Sequence, residues 1–146
     1  MYTNNKILES KKPITEEDIK YVENKYKFSM PEDIKKHYLK YNGGYPEKSM
    51  YTTDRGDEFI VNWFIPIKSD KKSSELDAVL GVLREDKVIP DWLIPFADEA
   101  GGDFYCYSLR KNELGAIYYW SHEFDDVVYI TKSLEEFLNN MVEFSY

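Results

Sequence analysis

The chain has 146 residues, enough for one domain, and a formal net charge of −8, which argues against nucleic acid as a direct ligand because phosphate binding needs clustered Lys and Arg. Its one cysteine, Cys106, excludes an internal disulfide; the start MYTNNKILESKK lacks the apolar centre of a secretory signal, and no apolar run approaches the ~20 residues of a membrane span. A soluble cytoplasmic protein that does not engage a membrane is the expectation.

Residues 1–13 show no periodicity and are expected to be a flexible arm before a single domain at 14–146. Thr15 and Asp18 make a weak capping box, with Ile14 as a staple, for a helix from Glu16 to Lys27 whose inner stripe is Ile19, Val22 and Tyr26. Pro31 is expected at the first position of a second helix, with Ile34, His37, Tyr38 and Tyr41 inside and Asn42-Gly43-Gly44 as the stop. The short link between these helices predicts that they pack as a hairpin, and His37, with no other ligand type at helical spacing, reads as a core or boundary histidine.

After a polar, turn-rich segment from Tyr45 to Asp57, the run Phe59 to Phe64 predicts one strand, closed by Pro66. Leu76, Val79, Leu80 and Leu83 then mark a short amphipathic helix, and Val88 to Phe96, with two prolines, reads as an extended connector. Phe104 to Leu109 and Ala116 to Trp120 are apolar and aromatic runs joined by a short polar segment ending in Gly115, which predicts an antiparallel hairpin. A short strand at Val127 to Ile130 follows, then a helix opened by a complete capping box of Ser133 and Glu136 and striped by Leu134, Phe137, Leu138, Met141 and Phe144. This order predicts an α+β fold, a mostly antiparallel sheet packed by helices.

The flanks of the hairpin give it a candidate function. Asp98, Glu99 and Asp103 enter the first strand, and His122, Glu123, Asp125 and Asp126 leave the second, so two acidic clusters far apart in sequence should meet at one edge of the sheet. Residues 1–44 carry nine Lys against seven acids, whereas 91–126 carry eight acids against two bases, so the acidity is local. It is either a solvated surface that serves solubility or a face that recruits a basic protein. Trp120 is either a core residue or an interface anchor and is placed with the candidates, as are Tyr45 and Trp63. Asp98, Asp103, His122 and Glu123 are acceptable metal-ligand types without a tight motif, so no metal, cofactor or catalysis is expected. Gly101-Gly102 is a poor phosphate cradle among these acids, and Cys106 reads as an inert buried thiol.

Met30-Pro31-Glu32-Asp33-Ile34 running into Tyr41-Asn42-Gly43-Gly44-Tyr45-Pro46, then Ile94-Pro95-Phe96-Ala97, Gly101-Gly102-Asp103 and Trp120-Ser121-His122-Glu123, resemble in order and spacing the two blocks of the SUKH superfamily (SMI/KNR-like), over roughly residues 14–141. Met30 stands where Leu or Ile is usual, Glu99 and Ala100 lie between Asp98 and the glycines, and Ser121 replaces the commoner Asp. The resemblance implies an α+β fold, no catalysis and a protein partner. Most bacterial members are thought to be immunity proteins that neutralise a polymorphic toxin, often a nuclease, whereas the founding fungal members regulate cell-wall synthesis. Two readings follow: an immunity protein that occludes a toxin through Tyr45, Trp63, Asp98, Glu99, Asp103, Trp120, Glu123, Asp125 and Asp126, and an intracellular regulatory scaffold that binds an endogenous signalling protein.

Overall fold

Two-residue periodicity is nearly absent from the long strands of this chain, because both faces of its main sheet are covered. The computed structural model describes residues 2–85, 88–123 and 126–145. Its elements run β1 (Ile7–Leu8), α1 (Glu16–Tyr26), α2 (Glu32–Lys40), β2 (Tyr45–Pro46), β3 (Met50–Thr52), β4 (Glu58–Ile60), β5 (Trp63–Phe64), α3 (Leu76–Glu85), β6 (Leu93–Asp98), β7 (Phe104–Ser108), β8 (Ile117–Ser121), β9 (Asp126–Thr131) and α4 (Leu134–Asn139). Strands β5 to β9 form one antiparallel sheet in chain order, with two small ribbons beside it, β1 with β2 and β3 with β4. This is the α+β architecture expected. Among the described residues no helix is long and apolar enough to cross a membrane.

The helix starts follow from their caps. Thr15 forms the full box with Asp18: its Oγ1 accepts from Asp18 N–H at 3.4 Å, and its own N–H donates to Asp18 Oδ2 at 2.9 Å. At α4 only half of the expected box forms, Ser133 Oγ accepting from Glu136 N–H at 3.1 Å, while the Glu136 carboxylate lies 3.9 Å from Lys132 Nζ. Pro31 is the N-cap of α2, with ψ of 148°, and not its first helical residue as expected. The buried residues of α1 and α2 share one core cluster, and Met30 N–H, just before α2, donates to the Glu23 carboxylate at 2.7 Å. Helix α1 also meets α3, where Tyr26 Oη donates to Asp77 Oδ1 at 2.7 Å and Lys25 pairs with the same oxygen at 2.8 Å.

The expected single strand from Phe59 to Phe64 is divided between two sheets. Ile60 pairs with Met50, whereas Trp63 pairs with Asp98; between them Val61 N–H donates to Ser49 O and Asn62 N–H to Asp98 O, both at 2.9 Å, so the chain changes partner at these two residues. The connector expected up to Phe96 likewise gives way at Leu93 to β6, the central-sheet neighbour of β7.

The N-terminal segment is not a loose arm. Ile7 and Leu8 pair with Pro46 and Tyr45, buried Asn5 donates to Lys48 O at 2.8 Å and Leu138 O at 2.9 Å, and the Tyr2 hydroxyl lies 2.7 Å from His37 Nδ1. His37 is itself buried, which pushes its ring down to about 3, so it is neutral at ordinary pH and serves the core. The Asn42-Gly43-Gly44 stop does more than end α2. The Asn42 carboxamide donates to Lys12 O and Lys68 O at 2.9 and 2.8 Å and accepts from Ile67 N–H at 2.8 Å, tying three segments together. Gly44 has φ of +83°, and a Cβ there would stand 2.3 Å from Leu8 O, so the crossing of β1 requires glycine.

The core lies in two parts on the two faces of the sheet. Ile94, Phe96, Tyr105, Tyr107 and Ile117 pack with residues of α1, α2 and α4; on the other face Leu93, Cys106, Tyr118 and Trp120 pack with Leu83 and Ile89. Full burial holds the Cys106 thiol far above its ordinary value, which fits an inert side chain.

Candidate functional site

The register of the sheet decides what lies together at its end. Trp63 pairs with Asp98, Asp98 with Phe104, Phe104 with Trp120 and Trp120 with Val127, so this row runs across all five strands; beyond it lie the turn from β6 to β7 and the last pair of β8 and β9, Ser121 with Asp126. The turn from β6 to β7 carries Glu99 and Asp103, closed by Glu99 N–H donating to Asp103 O and Gly102 N–H donating to Glu99 O, both at 3.0 Å, with Gly102 at φ of +99°. Ser121, His122 and Glu123 leave β8 beside it. The two flanks therefore meet where Asp103 contacts His122.

Their carboxylates divide into two kinds. Asp103 holds the ends of the hairpin together: Oδ1 accepts from His122 N–H at 3.0 Å and lies 2.6 Å from His122 Nδ1, while Oδ2 accepts from the Tyr119 hydroxyl. Partial burial works against its charge, but the hydrogen bonds from Tyr119 and His122 prevail and hold the carboxyl below the usual carboxylate range. Asp98 Oδ1 accepts from Trp63 N–H at 3.1 Å and fixes β5 to the end of β6; here burial prevails and pushes the carboxyl up, with the Trp63 and Asn62 hydrogen bonds pulling the other way. Glu99, Glu123 and Asp126 have local roles or none. Glu99 accepts from Gly101 N–H, Asp126 Oδ1 accepts from Val127 N–H at 2.9 Å, and Glu123 is exposed. Among the described residues, no Lys or Arg forms an ion pair with any of these five carboxylates. Asp125 lies outside the described residues.

The two tryptophans placed with the candidates separate. Trp63 is 41% exposed and packs against Tyr45, ring centroids 5.0 Å apart and planes at 78°. Trp120 is 1% exposed, stacked on Phe104 at 6.1 Å inside the second core, and cannot touch a partner. It is corrected from interface anchor to core residue: the face of β8 that carries it is covered by the segment around Leu83 and Ile89.

The site has members that sequence reasoning missed. Glu9, at the end of β1, and Glu47, just after β2, line a groove of about 310 Å³ with Tyr45, Asn62 and Trp63, and the Glu9 carboxylate beside the Tyr45 hydroxyl pushes that phenol up. The only signal for Glu47 was its place two residues beyond Tyr45; Glu9 had none, because it reaches the site through a two-residue pairing. Among the described residues no three His, Cys, Asp or Glu side chains converge as a metal would require. Asp103 and His122 are an orienting pair, and the bond from the His122 backbone N–H makes it a clasp for the turn.

The model of the family described as SMI1 / KNR4 family (SUKH-1) matches residues 13–140. No curated protein matches the chain.

Proposed function

The chain belongs to the SMI1 / KNR4 family (SUKH-1), and from that premise we propose that it is a non-enzymatic immunity protein, acting in the cytoplasm, that binds and neutralises a toxin domain bearing a cationic surface. The observation that carries the reading is the end of the sheet, where Asp98, Glu99, Asp103, Glu123 and Asp126 are spread across β6 to β9 and their connections with no Lys or Arg of the described residues paired to them, and where Trp63 is exposed on the neighbouring β5. A net charge of −8 adds a long-range field that speeds the encounter with a basic partner. A nuclease cleft built for phosphate is such a partner, and carboxylates presented on a rigid sheet edge fill it in place of the nucleic-acid backbone. The chemistry asked of the chain is occlusion: strands fix the acids, the Trp63 and Tyr45 rings supply apolar contact, and nothing is turned over.

The test is co-production with a toxin domain found in the neighbouring reading frames. Asp98 and Asp103 hold the turn, so reversing them risks the fold; the informative variant is Glu99→Lys with Glu123→Lys and Asp126→Lys. It is expected to lose protection while keeping its circular dichroism and Tm. Full protection from that folded variant removes this face from the mechanism. The regulatory reading gains if the neighbouring reading frames encode no secreted protein with a variable C-terminal domain.

A further inference from the structure

Glu9, Tyr45, Glu47 and Trp63 come from three separate segments, the N-terminal arm, β2 with its following residue, and β5, and they surround one groove of about 310 Å³. Both acids are free of ion pairs among the described residues, and no Lys or Arg lines the groove. The rings of Tyr45 and Trp63 meet edge to face at 78°, which leaves at least one face of the indole uncovered by its neighbour. Carboxylates beside an open indole face form an environment that favours a cation with a flat, weakly hydrated surface.

We infer that this groove seats one arginine side chain of the protein partner, its guanidinium against the Trp63 ring and its N–H edge toward Glu9 and Glu47. The inference rests on the cationic-partner reading above and deepens it by naming the recognised group and by making the N-terminal arm a wall of the binding face. Arginine fits better than lysine for two reasons. Its plane stacks on an aromatic ring while its edge donates, and it surrenders hydration more readily than an ammonium. The Asp98 carboxylate, which accepts from the Trp63 backbone N–H at 3.1 Å, places a third acid next to this residue.

The experiment uses the ¹⁵N-labelled full chain titrated at low ionic strength with N-acetyl-arginine amide, its lysine counterpart and its uncharged citrulline counterpart. The arginine probe is expected to give saturable shifts at the Trp63 indole N–H and at the Tyr45 and Glu47 amides. The lysine probe should bind several-fold more weakly and the citrulline probe not at all. Glu9→Gln with Glu47→Gln should weaken the arginine probe by about tenfold, and Trp63→Ala should abolish the saturable response with the remaining amide spectrum unchanged. An unmoved indole signal, equal response to citrulline, or shifts scattered over the acidic surface would each overturn the assignment. The probe is independent of any toxin, so failure here leaves the charge-reversal protection test standing, and failure of that test leaves the groove to be judged by this titration.

Discussion

The hairpin of β7 and β8 has two ends, and they use charge in opposite ways. At the loop end, Arg110 lies 3.5 Å over the Trp92 ring and Glu113 accepts from the Tyr118 hydroxyl at 2.8 and 2.6 Å, so both charges are engaged by aromatic groups of the same chain. At the other end, Asp98 and Asp103 accept from backbone N–H groups, and Glu99, Glu123 and Asp126 have no cation beside them among the described residues. Both ends rest on the same strands, so the difference is not one of scaffold. The loop end is closed on itself, whereas the turn end presents negative charge outward on a rigid edge.

The largest effect that sharpens this contrast concerns the two tryptophans of the acidic end. Trp120→Ala removes a fully buried ring and is expected to cost about 3–5 kcal/mol, lowering Tm by roughly 10 °C or more; Trp63→Ala, at an exposed ring, should cost no more than about 1 kcal/mol. Thermal melts of the two variants check this, and equal losses would erase the division between floor and face.

Next in size is a difference of sign between the two fixed acids. Asp103 titrates lower in the folded chain than its ordinary value, so the unfolded chain binds the extra proton: its stabilisation is present above the unfolded value and is lost as pH falls through the folded one. Asp98 is raised, so the folded chain binds the extra proton, and its contribution falls as pH rises from the ordinary value of 3.8 through the folded one. Denaturant melts across the acid range should show Asp103→Asn destabilised near neutrality, by roughly 1–2 kcal/mol, and Asp98→Asn less so. The same loss and the same pH slope in both variants would contradict the assignment. The smallest effect belongs to the loop end, where Arg110→Ala should cost about 0.5–1 kcal/mol and leave partner association unchanged.

Much of this was legible in the sequence because it depends on local pattern. The runs Phe104 to Leu109 and Ala116 to Trp120, bounded by turn residues, specify a hairpin, and a hairpin brings Asp103 and His122 together without further information. The helices followed in the same way from their stripes, except that the last one ends at Asn139, so that Met141 and Phe144 of its expected stripe lie beyond it, where Val142 bridges to Met50. What stayed hidden depends on coverage and on long-range pairing. A strand buried on both faces reads as a continuous apolar run, so nothing in the pattern separates buried Trp120 from exposed Trp63. The ribbon of β1 with β2 rests on two residue pairs between segments far apart in the chain, too short to leave a period, and so Glu9 and the pinned N-terminal segment were invisible. Asn42 looked like a helix stop because its three bonds, to Lys12, Ile67 and Lys68, exist only once the tertiary fold is formed.

The most direct test of the outward-facing charge is the association rate with the toxin domain that the proposed function requires, measured by stopped flow from about 50 mM to about 500 mM salt. The wild-type rate should fall steeply with salt, and the variant with Glu99, Glu123 and Asp126 changed to Lys should start slower and lose most of that dependence. A wild-type rate indifferent to salt and unchanged in the variant would contradict the account.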